Sequence, residues 1–169
     1  MSFPTDLENT RRPRPFRPLP DTTACLGYTV DPLVVKSAMQ LSKGHILYIE
    51  DHEDTRDLVT LVLKQNNFEV TVGATIKSGL QLLRQCKFDL YLLDSWLPDG
   101  SGLDLCKQIR EHDRLTPILF YSAAAYQADR ESALSSGAQG YLVKPSRTSE
   151  LCKLVELLIA EYRQESSYS

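Results

Sequence analysis

Three carboxylates, a hydroxyl and a lysine each stand at the end of a short apolar segment of this chain. The acidic pair Glu50 and Asp51 follows HILYI, Asp94 follows FDLYLL, Ser122 closes PILFYS, and Lys144 follows GYLV. Clustered carboxylates repel one another unless a cation joins them, and an all-oxygen ligand set suits Mg²⁺. A lysine supplies the compact positive charge that phosphoryl groups need, and an aspartate can be the nucleophile that forms an aspartyl phosphate. These residue types therefore indicate phosphoryl transfer.

Each of these residues also has an ordinary structural interpretation. Glu50 and Asp51 could cap a following helix, Asp94 and Ser122 could be caps, and Lys144 could lie on the surface. The functional interpretation depends on convergence, because parallel strands in an open sheet bring their carboxyl ends to one edge. Polar groups at four separate strand ends favour one site over a set of unrelated caps.

The segments that must position these residues alternate between strands and helices. Five short runs rich in apolar residues predict strands, at 45–50, 68–72, 88–94, 117–122 and 140–144. Helical spacing or helix end signals follow each run, at 53–67, 75–86, 102–112, 126–137 and 148–164. Apolar strands alternating with helices predict a parallel sheet covered on both faces, and right-handed crossovers then give an open doubly wound α/β fold. Its ligand site lies beyond the carboxyl ends of the strands.

Three helices carry specific expectations. The buried face of the helix at 53–67 is predicted to hold Leu58, Leu61, Val62 and Gln65. The helix at 148–164 is amphipathic, with a predicted apolar stripe of Leu151, Leu154, Val155, Leu158 and Tyr162. Thr75 is the predicted N-cap of the helix at 75–86.

The first 43 residues differ in composition from the rest of the chain. Residues 1–20 hold five prolines and four arginines, which predicts a flexible or polyproline-II-like arm. A short helix is predicted over 32–42, with Pro32 at its first position and Asp31 as its cap. Residues 1–43 hold six Lys/Arg against four Asp/Glu, a balance of +2, and the remainder holds thirteen against eighteen, a balance of −5. The acidic main body argues against nucleic-acid binding; the basic arm could touch nucleic acid or an acidic partner, but a solvated tail is favoured.

The cysteines and the hydropathy pattern indicate in which cellular compartment the protein works. Cys25, Cys86, Cys106 and Cys152 are far apart in sequence and are predicted to be free thiols, the last three at apolar helical positions. The scattered cysteines and three histidines argue against a Cys/His metal site. No apolar run is long enough to span a membrane and no secretory signal is recognisable at the N-terminus, which predicts a cytoplasmic protein without membrane attachment.

The chain resembles the receiver domain of two-component response regulators over about residues 44–165. The features that carry this resemblance occur in order: Glu50-Asp51, LYLLDSWLPDGSG around Asp94, Ser122 after PILFY, Tyr141, and Lys144-Pro145. Within the central motif, Pro98 and Gly102 stand four and eight residues after Asp94, as they do in the family. The resemblance implies a flavodoxin-like, chemotaxis-receiver-like fold: a doubly wound five-stranded parallel sheet of order 2-1-3-4-5 with helices on both faces.

The resemblance also implies a phosphoacceptor and a metal site. Asp94 would attack a phosphohistidine on a sensor histidine kinase or a histidine phosphotransfer protein. Mg²⁺ would be bound directly by Asp51 and Asp94, through water by Glu50, and by the backbone carbonyl of Trp96.

Further implied roles concern the phosphoryl group and the output. Lys144 would pair with the phosphoryl oxygens, Ser122 would hydrogen-bond the phosphoryl group, and Tyr141 would turn inward behind it. The change would reach a protein partner through the fourth helix, fifth strand and fifth helix. Because the last predicted helix ends near 164 and only a tail at 166–169 follows, the chain is predicted to be a stand-alone receiver. Its own chemistry would be self-phosphorylation from a donor and slow self-dephosphorylation.

Two other functions compete with this one. A phosphohydrolase of the haloacid-dehalogenase type also uses a strand-end aspartate and Mg²⁺, but it needs a second aspartate where this chain has Trp96. A receiver-like adaptor that acts without phosphorylation would not need Glu50, Asp51, Asp94, Ser122 and Lys144 together. A nucleotide-binding P-loop is excluded, because the sequence has no G-x-x-x-x-G-K-[ST] motif.

Overall fold

The structure is a computed structural model and describes residues 42–166. Its elements are β1 His45–Ile49, α1 Glu53–Gln65, β2 Glu69–Gly73, α2 Ile76–Leu83, β3 Leu90–Leu93, β4 Trp96–Leu97, β5 Gly100–Ser101, α3 Gly102–His112, β6 Ile118–Ser122, α4 Gln127–Ser135, β7 Gly140–Val143 and α5 Thr148–Ser166. Three predicted features fall outside the described residues: the N-terminal arm over 1–20, the helix over 32–42 apart from Ser42, and the tail after residue 166. The predicted domain boundaries stay predictions.

Five strands form one parallel sheet in the order β2-β1-β3-β6-β7. Counted among the strands of this sheet alone, the order is 2-1-3-4-5, which confirms the predicted flavodoxin-like, doubly wound fold. The chain runs outward in one direction from β1 to β2 and in the other from β3 to β7. The carboxyl ends of β1 and β3 therefore meet at the point where the strand order reverses, which is where folds of this class bind ligands.

Side chains alternate between the two faces of the sheet along every strand. Both faces carry buried apolar side chains, and helices cover each of them. On β1, Ile46 and Tyr48 belong to the core layer under α1 and α5, whereas Leu47 and Ile49 belong to the layer under α2, α3 and α4. Four residues of the predicted α5 stripe pack on the first layer, with Leu151, Val155 and Leu158 buried and Leu154 partly buried. The fifth, Tyr162, is partly buried.

Helix α1 buries a different face from the one predicted. The prediction was wrong for three residues that are exposed: Leu58, Leu61 and Gln65. Val59 and Leu63 are buried instead, and Val62 packs partly buried against them. Apolar residues occupy positions 58, 59, 61, 62 and 63, so the helix has two possible apolar stripes. Packing against the sheet, rather than the helical period alone, selects the stripe through Val59 and Leu63.

The segment between the strand predicted at 88–94 and the helix predicted at 102–112 forms a short antiparallel hairpin of β4 and β5, which was not predicted from the sequence. The Asp99 carboxylate in its turn accepts hydrogen bonds from the backbone N–H groups of Ile76, at 2.8 Å, and Lys77, at 3.0 Å, at the start of α2. A Cβ atom at Gly102 would lie 2.0 Å from the carbonyl oxygen of Asp94, so no larger residue fits at the start of α3. These contacts fix the backbone on the carboxyl side of Asp94.

Other local expectations have mixed outcomes. Thr75 caps α2 as predicted, since its hydroxyl accepts the Ser78 N–H at 3.0 Å and the Ser78 hydroxyl accepts the Thr75 N–H at 3.1 Å. Cys86, Cys106 and Cys152 are free thiols as predicted, but Cys86 is exposed and lies beyond the end of α2. The prediction for Cys25 lies outside the described residues. Within residues 42–166, no helix is both long enough and apolar enough to cross a membrane.

Candidate functional site

The carboxyl ends of β1 and β3 bring three carboxylates together. Asp94 directly follows β3, and its N–H donates to the carbonyl of Ile49 in β1 at 3.0 Å. Glu50 and Asp51 directly follow β1, and one oxygen from each of the three acids lies within 4.8 Å of the others. Glu50 and Asp94 are 2% and 8% exposed, whereas Asp51 is open to solvent. The structure thus brings together the three acids that the sequence places at two separate strand ends.

Lys144 follows β7, and its ammonium group contacts both buried carboxylates. Its Nζ atom is 3.3 Å from Oδ1 of Asp94 and forms an ion pair with Oε2 of Glu50. The same Nζ atom lies 5.3 Å from the centre of the Tyr121 ring, within the range of a cation–π contact. Three carboxylates facing one ammonium group leave an excess of negative charge, so the cluster favours a further cation.

Glu50 is held by donors that sequence reasoning missed. The buried hydroxyl of Tyr48 donates to Oε2 of Glu50 at 2.9 Å, and the His52 N–H donates to Oε1 at 3.4 Å. Burial and the neighbouring Glu50 carboxylate raise the pKa of Tyr48 far above its usual range, so its hydroxyl keeps its proton. Tyr48 stands two positions before Glu50 on an extended segment, and this spacing was the available signal, because residues two apart in a strand point to the same face.

The residues present fit a magnesium ion. The cluster offers oxygen ligands only, two of them on largely buried residues, and one acid is open to solvent, which leaves access for water. Oδ1 of Asp94 is buried and accepts no hydrogen bond within the described part of the chain, although Lys144 lies near it. Trp96 begins β4, and its side chain is 70% exposed. That the Trp96 backbone carbonyl binds the metal stays a prediction.

Ser122 and Tyr141 meet at the loop between β6 and α4. Ser122 closes β6, is fully buried, and accepts the N–H of Ala124 on its hydroxyl oxygen at 3.3 Å. The Tyr141 ring stacks on Phe120 with their centres 6.0 Å apart, and its hydroxyl donates to the Ala124 carbonyl at 2.7 Å. Ser122 and Tyr141 lie on the two strands that continue the sheet beyond β3, and both contact Ala124.

The arrangement is suited to accepting a phosphoryl group. Asp94 offers a carboxylate oxygen at the switch point of a parallel sheet, flanked by two further acids and a lysine. Phosphoryl transfer needs from a protein mainly positioning and neutralisation of charge. The fold and the site together define an α/β phosphoacceptor domain.

Comparison with known proteins gives the family. The model of the response regulator receiver domain matches residues 46–156, so the chain belongs to that family. A probable transcriptional regulatory protein of Picosynechococcus is 37% identical over 117 residues, covering 65% of this chain and 47% of that protein. Regulatory protein VanR of Enterococcus faecium is 34% identical over 121 residues, covering 72% and 52%. A CheY-like receiver domain protein from Methanospirillum hungatei superposes with a TM-score of 0.69 at 25% identity, covering 74% of this chain and 98% of that one.

The coverage separates the domain from the whole proteins. The chain spans about half the length of the curated relatives that it matches, but nearly all of the solved receiver domain. The shared part is therefore the receiver domain, and the regulatory activities in the names of the relatives are properties of longer proteins.

Proposed function

We propose that this protein is the phosphoacceptor of a two-component phosphorelay and that Asp94 takes the phosphoryl group. The observation that carries the proposal is the convergence of Asp94, Glu50, Asp51 and Lys144 at the switch point of the sheet. An oxygen of the Asp94 carboxylate forms the new O–P bond while the P–N bond of a donor phosphohistidine breaks. The imidazole nitrogen of the donor leaves with the bonding electron pair. The donor is a sensor histidine kinase or a histidine phosphotransfer protein.

Each neighbouring residue has a proposed part in this transfer. Asp51 and Asp94 would hold Mg²⁺ directly and Glu50 would do so through water; when bound, the ion would offset the negative charge of the acids and the phosphoryl oxygens. Lys144 pairs with a phosphoryl oxygen as a point charge. The Ser122 hydroxyl donates to another phosphoryl oxygen.

The proposed output is altered binding of a protein partner. Ser122 and Tyr141 both contact Ala124, so a new hydrogen bond at Ser122 would act on the loop that leads into α4. Relatives are named as transcriptional regulators, and the matched part covers about half of each. The acidic charge of the main body still argues against direct nucleic-acid binding by this domain, and a cytoplasmic location stays a prediction.

The test is incubation with Mg²⁺ and acetyl phosphate, followed by intact mass measurement. We expect the wild-type chain to gain the mass of one phosphoryl group, and the Asp94→Asn variant to gain none. Asp51→Ala should also gain none, because it removes a direct metal ligand. Asp104→Asn is the matched control, since Asp104 is an exposed aspartate of α3. Stoichiometric labelling of Asp94→Asn would contradict the proposal.

The same experiment separates the competing functions. A phosphohydrolase would consume acetyl phosphate over many turnovers, whereas a receiver only loses its own phosphoryl group slowly. Trp96 stands where that class of hydrolase needs its second aspartate, which argues against turnover. An adaptor that acts without phosphorylation would show no mass gain in any variant.

A further inference from the structure

The hydrogen bond from Tyr48 to Glu50 lies outside the roles that the proposed function assigns. Tyr48 is fully buried among apolar side chains of the core layer under α1 and α5. A hydroxyl in such surroundings is costly unless it finds a partner, and the partner here is Oε2 of Glu50 at 2.9 Å. The ring of Tyr48 fills the core, but its hydroxyl ends at the acidic cluster.

Glu50 depends on a small number of donors. Its Oε2 atom accepts from Tyr48 and is paired with Lys144, and its Oε1 atom accepts the more distant His52 N–H at 3.4 Å. Under the proposed function Lys144 pairs with the phosphoryl group, so it cannot keep its full contact with Glu50. Tyr48 is then the nearest remaining donor to a carboxylate that is 2% exposed.

We propose that Tyr48 is a positioning residue, which holds the Glu50 carboxylate in place for Mg²⁺ binding, beside Lys144 before the transfer and without it once Lys144 turns to the phosphoryl group. The inference rests on the proposed function, because it needs both the ion and the transfer. Tyr48 acts only through Glu50 and touches neither the ion nor the phosphoryl group. A hydrogen bond to a charged acceptor is stronger than one between neutral groups, and a carboxylate that is already fixed loses less freedom when it accepts a metal-bound water.

The test compares two tyrosine-to-phenylalanine variants. Tyr48→Phe removes the hydroxyl and keeps the ring. Tyr91→Phe makes the same change on the other face of the sheet, where the buried Tyr91 hydroxyl donates to Asp113 at 2.8 Å, away from the acidic cluster. We expect titration calorimetry to show an about five-fold weaker Mg²⁺ affinity for Tyr48→Phe and an unchanged affinity for Tyr91→Phe.

Phosphorylation kinetics provide a second readout, which a loss of packing alone would not produce. At limiting Mg²⁺, uptake from acetyl phosphate by Tyr48→Phe should slow in proportion to the weaker affinity. At saturating Mg²⁺ its rate should return to that of the wild type, because the reacting groups are untouched. In a Glu50→Gln background, Tyr48→Phe should change Mg²⁺ affinity by a factor near one, because the residue acts through the carboxylate.

The outcomes distinguish this inference from the proposed function. Circular dichroism checks that each variant folds, and Tyr48→Met replaces Tyr48→Phe if the latter does not. A hydroxyl-free variant that binds Mg²⁺ like the wild type overturns the role of Tyr48 and leaves the proposed function standing. Equal weakening by Tyr48→Phe in the wild-type and Glu50→Gln backgrounds also overturns it. A wild-type chain that neither binds Mg²⁺ nor takes up a phosphoryl group overturns both.

Discussion

Replacing Lys144 by methionine removes the ammonium group and keeps an unbranched side chain of similar length. The change leaves Glu50 and Asp94 facing each other without their shared cation. We expect it to lower the free energy of unfolding in the absence of Mg²⁺ and, at the same time, to raise the affinity for Mg²⁺. The opposite directions of these two effects make the prediction specific.

The magnitudes follow from the geometry of the cluster. Unit charges separated by the 3.3 Å between Nζ of Lys144 and Oδ1 of Asp94 attract by ~5 kcal/mol at an effective dielectric constant of about 20. The desolvation that Lys144 itself suffers offsets part of this, and removing one partner of a buried pair costs about 3–5 kcal/mol in general. Because the Lys144 side chain is 15% exposed, we expect the lower end, about 3 kcal/mol. Loss of the competing ammonium should tighten Mg²⁺ binding about ten-fold, or ~1.4 kcal/mol.

The assay is urea unfolding followed by circular dichroism, in EDTA and in excess Mg²⁺, with titration calorimetry for the ion. Lys43→Met is the matched control, because Lys43 pairs with Glu156 at 2.6 Å but both side chains are about half exposed. An exposed pair contributes at most about 1 kcal/mol, and its loss should leave Mg²⁺ affinity unchanged. If Lys144→Met were destabilised equally in EDTA and in Mg²⁺, with no gain in affinity, Lys144 would not be the competitor of the ion.

Three further predictions concern other parts of the molecule. Trp96→Asn should speed loss of the phosphoryl group several-fold, an effect of about 1 kcal/mol on the barrier to hydrolysis. The reason is that a large indole two residues past the phosphoacceptor would exclude the attacking water. An equal or slower decay after removal of the donor would contradict this. Burial by itself would raise the pKa of Asp113, but hydrogen bonds, led by those from Thr116 and Tyr91, hold it below its usual 3.8. The contribution of Asp113 to stability is therefore complete above the unfolded-state pKa and is lost as the pH falls through the lowered folded-state pKa. Asp113→Asn should remove this contribution and so flatten the acid side of a pH–stability curve measured by urea unfolding. Removing residues 1–20 should leave the thermal midpoint within a few degrees, since their proline- and arginine-rich composition offers little apolar surface to bury; a larger fall would show that they pack on the domain.

The alternation of strands and helices could be predicted because the pattern of the strands is simple, whereas the strand order was implied by the resemblance to the receiver family. Strands such as LYLL in β3 are buried on both faces, so they appear in the sequence as continuous apolar runs. The rotation of α1 could not be predicted in the same way, because Leu58 and Leu61 compete with Val59 and Leu63 for the core. The hairpin of β4 and β5 was missed because two-residue strands are too short to show a period.

The candidate site was predictable wherever its residues stand at strand ends. Glu50, Asp94 and Lys144 come together because parallel strands share one edge, and that depends only on the order of the elements. The link from Tyr48 to Glu50 was missed because their spacing places them on one face of the strand but does not show that the Tyr48 hydroxyl reaches the carboxylate. Which donors satisfy a buried carboxylate is decided by distances of a few ångströms, which residue spacing does not fix.

Trp96 is the single tryptophan of the chain and has an indole that is 70% exposed, two residues past Asp94. It is therefore a built-in optical probe, whose emission reports on one place only. A cation or phosphoryl group arriving at the acids alters the electric field around the indole, and a donor protein that covers the site shields it from a soluble quencher such as iodide. Because Asp99 attaches the hairpin to the start of α2, rigid motion of that helix would change the same signal. Stopped-flow fluorescence on the unlabelled wild-type chain can thus time ion binding, phosphoryl uptake and partner release in a single trace.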